Sequence, residues 1–246
     1  YTPTPGARGR RPPPPRPAGR SRWPAAPRGG PPPHAGARPR PFDAVREYRE
    51  LLDGRSRLDG IRAFLAARDI DLPPGTPQDP PGCATVHAVA ARKEEVFSAM
   101  LRTDGVRAFG DVRPALRQLR AKAVRCAAVS ASRHARSLLE SADLAGCFDA
   151  LVDGQDAAAL ALPGKPDPAL FLEATARLGV APAHAAVVED ALAGVEAGHR
   201  GGFRLVVGLN RGDDPHMRDA LGAHGADLVL PDLGGLPAAL EGGRHP

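Results

Sequence analysis

Val187-Val188-Glu189-Asp190-Ala191-Leu192-Ala193-Gly194-Val195-Glu196-Ala197-Gly198 decides the fold of this chain. An apolar run ends in two adjacent carboxylates and gives way to a helix of small residues. That pattern places paired acid at the C-terminal edge of a buried strand, where open α/β sheets bind their ligands. Neighbouring carboxylates repel, and a hard cation such as Mg²⁺ with phosphate oxygens in its shell resolves the repulsion. The same two acids would also serve as plain first-turn residues of the next helix, where negative charge is favoured.

Two upstream segments add weight to the ligand-binding alternative. Gly164-Lys165-Pro166-Asp167-Pro168 carries a lysine in a stiff loop ahead of the apolar-periodic segment Ala169 to Leu178, so its ammonium is offered to whatever lies above the sheet. It is not a Walker A lysine, because Ala159 stands where that loop needs glycine and Pro166 where it needs Ser or Thr. Val124-Arg125-Cys126-Ala127-Ala128-Val129-Ser130-Ala131-Ser132-Arg133 is a short apolar strand running into hydroxyls and then a helix. Hydroxyls and free N–H groups at such a junction make an anion site, although Ser130 alone would equally be an N-cap.

Taken in order, a strand ending in Ser130, a loop carrying Lys165 and a strand ending in Glu189-Asp190 resemble the second, third and fourth motifs of the haloacid dehalogenase superfamily. The phrases Val129-Ser130-Ala131-Ser132, Gly164-Lys165-Pro166-Asp167-Pro168 and Glu189-Asp190-Ala191-Leu192-Ala193-Gly194 sit closest to its β-phosphoglucomutase-like phosphatase and mutase branch. The resemblance runs from about Phe42 to about Leu240. It implies phosphoryl transfer through a covalent aspartyl-phosphate on a small phosphorylated metabolite, a sugar phosphate. By the same resemblance Ser130 holds a phosphoryl oxygen, Lys165 neutralises charge on nucleophile and phosphate, and Glu189 with Asp190 helps to hold Mg²⁺.

The first motif of that family, an Asp-x-Asp at the end of the first strand, does not precede these segments. Residues 1–41 contain no Asp or Glu, and Asp43 in Pro41-Phe42-Asp43-Ala44-Val45 follows no apolar run. The text after it, Arg46-Glu47-Tyr48-Arg49-Glu50-Leu51-Leu52, reads as helix and resembles the family's cap, so Asp43 is not taken as a remnant of the motif. Since the family's first strand lies centrally, the expectation is two half-sheets, each with an open inner edge.

Residues 1–41 are foreign in composition: they hold 14 of the 28 prolines and nine arginines, with no lysine. Such a segment buries too little apolar area to offset its ordering entropy and is expected to stay extended or disordered. It offers an arginine-rich surface for nucleic acid, has no apolar h-region for secretion, and also has the composition of a misread GC-rich frame. Without it, 24 basic residues face 28 acidic ones, a net charge of −4. The basic balance of the whole chain therefore belongs to the tail, and no nucleic-acid surface is expected on the body.

The body divides into a helical cap over residues 42–110 and an α/β core over residues 111–246. Helix signals fall at Tyr48 to Leu52, Leu58 to Ala67 and Val86 to Leu101, broken by the proline-rich turn Leu72 to Pro81. Short apolar strands are expected at Val124 to Val129, Ala150 to Val152, Ala185 to Val188, Leu205 to Val207 and Leu228 to Leu230. Alternating with helices, they argue a Rossmann-like parallel sheet covered on both faces. In the cap, Asp53-Gly54-Arg55-Ser56-Arg57-Leu58-Asp59-Gly60 resembles the family's phosphate-gripping loop, with Arg57 on the substrate phosphate. Ser132 and Arg133 are further substrate-binding candidates, and Lys93 and His134 are candidates to face the ligand that also fit a solvated surface position. Cys83, Cys126 and Cys147 have neither disulfide nor metal spacing, and no run approaches membrane-spanning length, which together point to a cytoplasmic protein.

Overall fold

The apolar segments after Val112 form short parallel strands, and the sheet they build is split. The computed structural model describes residues 41–104 and 106–242. The expected disorder of residues 1–40 therefore lies outside the described residues. β1 (Ala127–Val129) pairs in parallel with β2 (Ala150–Val152), Ala127 opposite Ala150. Separately, β3 (Ala186–Glu189), β4 (Leu205–Leu209) and β5 (Leu228–Leu230) form a second parallel sheet, with Val187 opposite Val206 and Gly208 opposite Val229. Among the described residues no strand lies between β1 and β3. The expected open inner edges are present.

Helices cover both faces, as the alternation of side chains along β4 demands. Val206 packs with Val195, Met217 and Leu221 from helices Leu192–Arg200 and Pro215–Ala223. Val207, next along the strand, packs with Leu119 and Leu236 from helices Val112–Ala121 and Leu236–Gly242 on the other face. On the β1–β2 side, Val152 is sealed by Leu170 and Ala174 of the helix Ala169–Leu178. That helix starts where Asp167 accepts the Ala169 N–H at 2.9 Å and stops at Gly179, whose φ of +63° suits a residue without a Cβ. Cys126, expected inside a buried strand, is only half-buried, because it precedes the open-edged β1.

The helices ahead of residue 111, expected to form the cap, share a small apolar cluster. Ile61 of α1 (Arg57–Ala66) meets Val86 and Ala90 of α2 (Val86–Asp104), with Leu58, Leu65, Leu72 and Val89 around them. Ahead of α1, a π-helical turn over Tyr48–Leu52 is anchored by Glu47, which binds Arg68 at 2.6 Å within a nearly closed environment. Asp43 merely caps this segment, accepting the Val45 and Arg46 N–H groups at 3.0 and 2.9 Å. It ends no strand, in keeping with the sequence expectation.

Candidate functional site

Strand β3 delivers Glu189 at its end, half-buried, where its Oε2 accepts from Lys165 Nζ at 2.8 Å. The lysine side chain is only 3% exposed and its ammonium lies 4.5 Å from the Phe171 ring centroid, so Glu189 is its principal counter-charge. One helical turn beyond the strand, a Cβ on Gly194 would come within 2.3 Å of the Glu189 Cγ and Cδ. Glycine is what lets the carboxylate lie across the start of the helix Leu192–Arg200.

The cap contributes to the same place. At Gly54, where φ is +70°, a Cβ would stand 2.7 Å from the Ala191 Cβ. Asp53 therefore sits beside the acid pair, and its carboxyl is pushed above the ordinary range by burial first, then by Asp190 and Glu189. Tyr48 is raised as well, by burial and then by Asp53 and Asp190. At the lysine loop a Cβ on Gly164 would meet Asp59 Oδ2 at 2.6 Å. Asp59 is in turn fixed by Ser56, whose Oγ accepts the Asp59 N–H at 3.2 Å and caps α1. The first turn of α1 thus rests on the Lys165 loop. Arg55, in the same loop, holds a buried Nε without a hydrogen-bond partner among the described residues.

Across the sheet gap, the hydroxyls after β1 form a ladder. Ser130 Oγ accepts the Ser132 N–H at 3.1 Å, and Ser132 Oγ accepts the His134 N–H at 3.2 Å. Both hydroxyls keep their protons for another acceptor. Arg133 points outward and is exposed. Arg57 is held by Glu94 of α2, whose Oε1 also contacts His134 Nε2 at 2.5 Å. Lys93 is exposed as a residue, yet crowding around its ammonium and then the charge of Arg57 lower its pKa.

Sequence reasoning placed Lys165 with Glu189, and it placed Asp190 beside them. It missed Asp53 as an added carboxylate, Glu94 as the partner of Arg57, and Phe171 beneath the lysine. Asp53 was legible as the opening of the cap loop; nothing in the pattern of α2 singled out Glu94. Between the two half-sheets lies a slot of about 1050 Å³ lined by residues such as Ala127, Val129, Ala186, Val188, Phe171 and Phe203. The sole Asp-x-Asp string in the sequence, Asp69-Ile70-Asp71, stands in the turn after α1 with both acids exposed, far in character from a strand end. Among the described residues no three His, Cys, Asp or Glu side chains converge as a metal site, and Glu189 is already committed to Lys165. The residues present do not make a Mg²⁺ site by themselves.

Comparison with known proteins identifies the family and fold. Residues 33–202 match the haloacid dehalogenase-like hydrolase family. A β-phosphoglucomutase of Mycobacterium bovis is 40% identical over 193 residues, covering 78% of this chain and 74% of that protein. A phosphorylated carbohydrates phosphatase of Thermotoga maritima is 32% identical over 123 residues, 49% of this chain and 53% of its own length. The crystal structure of a family hydrolase from Deinococcus radiodurans, with bound phosphate and sodium, superposes with a TM-score of 0.55 at 28% identity over 80% of each chain. No helix among the described residues is long and apolar enough to cross a membrane.

Proposed function

Because the chain belongs to the haloacid dehalogenase-like hydrolase family, we propose that its site grips the phosphate of a small sugar phosphate for β-phosphoglucomutase-like phosphoryl transfer. The observation that carries this reading is the buried Lys165–Glu189 pair at the end of β3, with Asp190 and Asp53 crowded beside it. A buried ammonium that sits against one carboxylate and under an acid cluster is suited to neutralise an arriving phosphate. Relatives whose names specify phosphorylated sugars support the ligand class.

In this reading Ser130 donates its hydroxyl proton to a phosphoryl oxygen, with Ser132 completing the donor ladder. Lys165 offsets charge on the phosphate, and Arg57, with Lys93 near it, takes the ligand's distal anion. Arg133 is exposed and serves at most the rim. Any Mg²⁺ would draw on Asp190 and Asp53 only together with phosphate oxygens, since two carboxylates fall short of a hard cation's shell.

The nucleophile is the weak point. Among the described residues the one carboxylate that lines the slot is Glu189, already paired with Lys165, so none is offered there as a free nucleophile. Covalent transfer needs one, and losing a nucleophile and its acid/base partner costs several orders of magnitude, at roughly 10²–10⁴ for acid/base assistance alone. The chain is therefore expected to bind sugar phosphate and to turn it over far below ordinary enzyme rates. Calorimetry with glucose 1-phosphate, set beside a vanadate-sensitive phosphate-release assay with Mg²⁺, tests both halves. Binding that is lost in Ser130→Ala and Lys165→Gln, without appreciable release, supports the reading. Binding untouched by both substitutions refutes the site; rapid vanadate-sensitive release refutes the expected deficit.

A further inference from the structure

The Arg57 guanidinium is not waiting free. Glu94 Oε2 ion-pairs with it, and the same carboxylate is held from two other sides: Oε1 contacts His134 Nε2 at 2.5 Å and accepts from Ser98 Oγ at 2.9 Å. Phe97, three residues on, stacks obliquely on the His134 ring with centroids 5.6 Å apart. Burial alone would raise the Glu94 carboxyl, but Ser98, His134 and Arg57 outweigh it and hold its pKa below the ordinary value. The anion at Arg57 is thus a preorganised part of the protein, and its own side chain is about two-thirds covered.

We infer that Glu94 is the specificity-determining residue of the distal anion position, an internal carboxylate that any ligand must displace from Arg57. The inference rests on the sugar-phosphate reading only for the identity of the displacing anion. A tethered carboxylate competes at the high effective concentration of an intramolecular group. A free carboxylate, with one negative charge and no tether, loses that contest. A phosphate dianion brings more charge and three oxygens to the guanidinium's fork, and bidentate Arg–phosphate pairing is among the stronger charge-assisted contacts. The site therefore favours phosphorylated ligands over sugar acids without any added contact to the sugar.

Ser98 and His134 fix the strength of this filter, because they hold the competitor in place. His134 also belongs to the core: its N–H donates to Ser132 Oγ, so displacing Glu94 loosens a cap–core contact at the moment the distal anion arrives.

The test is calorimetric titration of inorganic phosphate into the full chain and its variants at fixed pH and salt. Removing one adjacent negative charge should tighten binding at least about tenfold in Glu94→Gln, since like charges at contact distance repel by a few kcal/mol at an effective dielectric near 20. Glu94→Asp, too short to span Arg57 and His134 together, should lie between, and covers the case in which the amide variant folds poorly. In an Arg57→Gln background the Glu94→Gln gain should vanish. Ser98→Ala should give a smaller tightening in the same direction. If Glu94→Gln leaves phosphate affinity unchanged, or tightens it equally without Arg57, the inference is overturned. Binding that responds to Lys165→Gln but not to Glu94 or Arg57 substitutions would sink this inference and leave the phosphate site standing. Absence of phosphate binding in every variant would sink both.

Discussion

Lys165→Met separates the charge of the buried pair from its shape. Methionine keeps most of the lysine's length and its contact with Phe171, but leaves Glu189 facing Asp190 and Asp53 with no counter-ion. Breaking a buried ion pair by removing one partner costs about 3–5 kcal/mol, and the two neighbouring acids place this case at the upper end. At roughly 2–4 °C per kcal/mol for a domain of this size, the melting temperature should fall by about 10 °C or more. Glu189→Gln should cost less, about 1–3 kcal/mol, because the amide oxygen still accepts from the ammonium and one of three crowded acids is gone. The double variant should recover most of the Lys165→Met loss, since no charge is then stranded. Differential scanning calorimetry of the four proteins at neutral pH closes the cycle. Equal, additive losses under about 1 kcal/mol would refute the view that Glu189 depends on Lys165 for its charge.

Gly194→Ala should weaken phosphate binding and lower the melting temperature, because its Cβ must displace a Glu189 carboxylate only 2.3 Å away, an effect visible in the same calorimetry. Asp111 accepts from Leu233 N–H at 2.8 Å and from Arg211 at 3.0 Å; burial opposes ionisation there, but these donors prevail and hold its pKa below 3.8. Its contribution is therefore complete above the unfolded-state value and lost as pH falls through the lower folded one, so the melting gap between the natural chain and Asp111→Asn should be constant near neutrality and close below 3.8. Mg²⁺ should bind weakly alone and more tightly once phosphate is present; tight binding of Mg²⁺ without phosphate in calorimetry would contradict the two-carboxylate account.

The strands were legible because each is a short apolar run between helical periods: Ala150 to Val152 and Leu228 to Leu230 coincide with β2 and β5. Lys165 and the acid pair were legible because their loops have local chemistry, a proline-bracketed lysine and a run ending in two carboxylates. The Arg57–Glu94–His134 contact was not. It joins three segments whose spacing along the chain carries no period, and a Glu after a Lys on an exposed-looking helix gives no sign of a partner in the core. Asp53 lies between these cases: its loop was marked, but its burial beside Asp190 depends on how closely Gly54 passes Ala191, a tertiary fact.

The slot ties the fold to the chemistry. Residues of a parallel strand turn their N–H and C=O groups to alternate sides. Ser130 N–H and Cys126 C=O engage the β2 side, which leaves Ala127 and Val129 facing the slot; the Arg204 N–H on Ala185 C=O likewise leaves Ala186 and Val188 facing it. Each half-sheet is internally parallel, and the residues that line the slot are mostly apolar, with Glu189 at the end of β3. The complement to such a space is one parallel strand, apolar on both faces, whose C-terminal end would emerge between Ser130 and Lys165. A carboxylate placed there would stand where the phosphate reading needs a nucleophile. A chimera carrying a four- or five-residue apolar strand that ends in Asp-x-Asp, joined ahead of Phe42 by its following segment, should pair on two edges at once. With each net hydrogen bond worth about 0.5–1.5 kcal/mol, a gain of a few kcal/mol and a melting rise of about 5–10 °C are expected. It should also abolish binding of an apolar fluorescent dye and recover vanadate-sensitive, Mg²⁺-dependent phosphate release. A control strand with Asn in place of both aspartates should stabilise equally but release no phosphate. If neither chimera raises the melting temperature or excludes the dye, the slot is not a strand site and the split sheet needs another explanation.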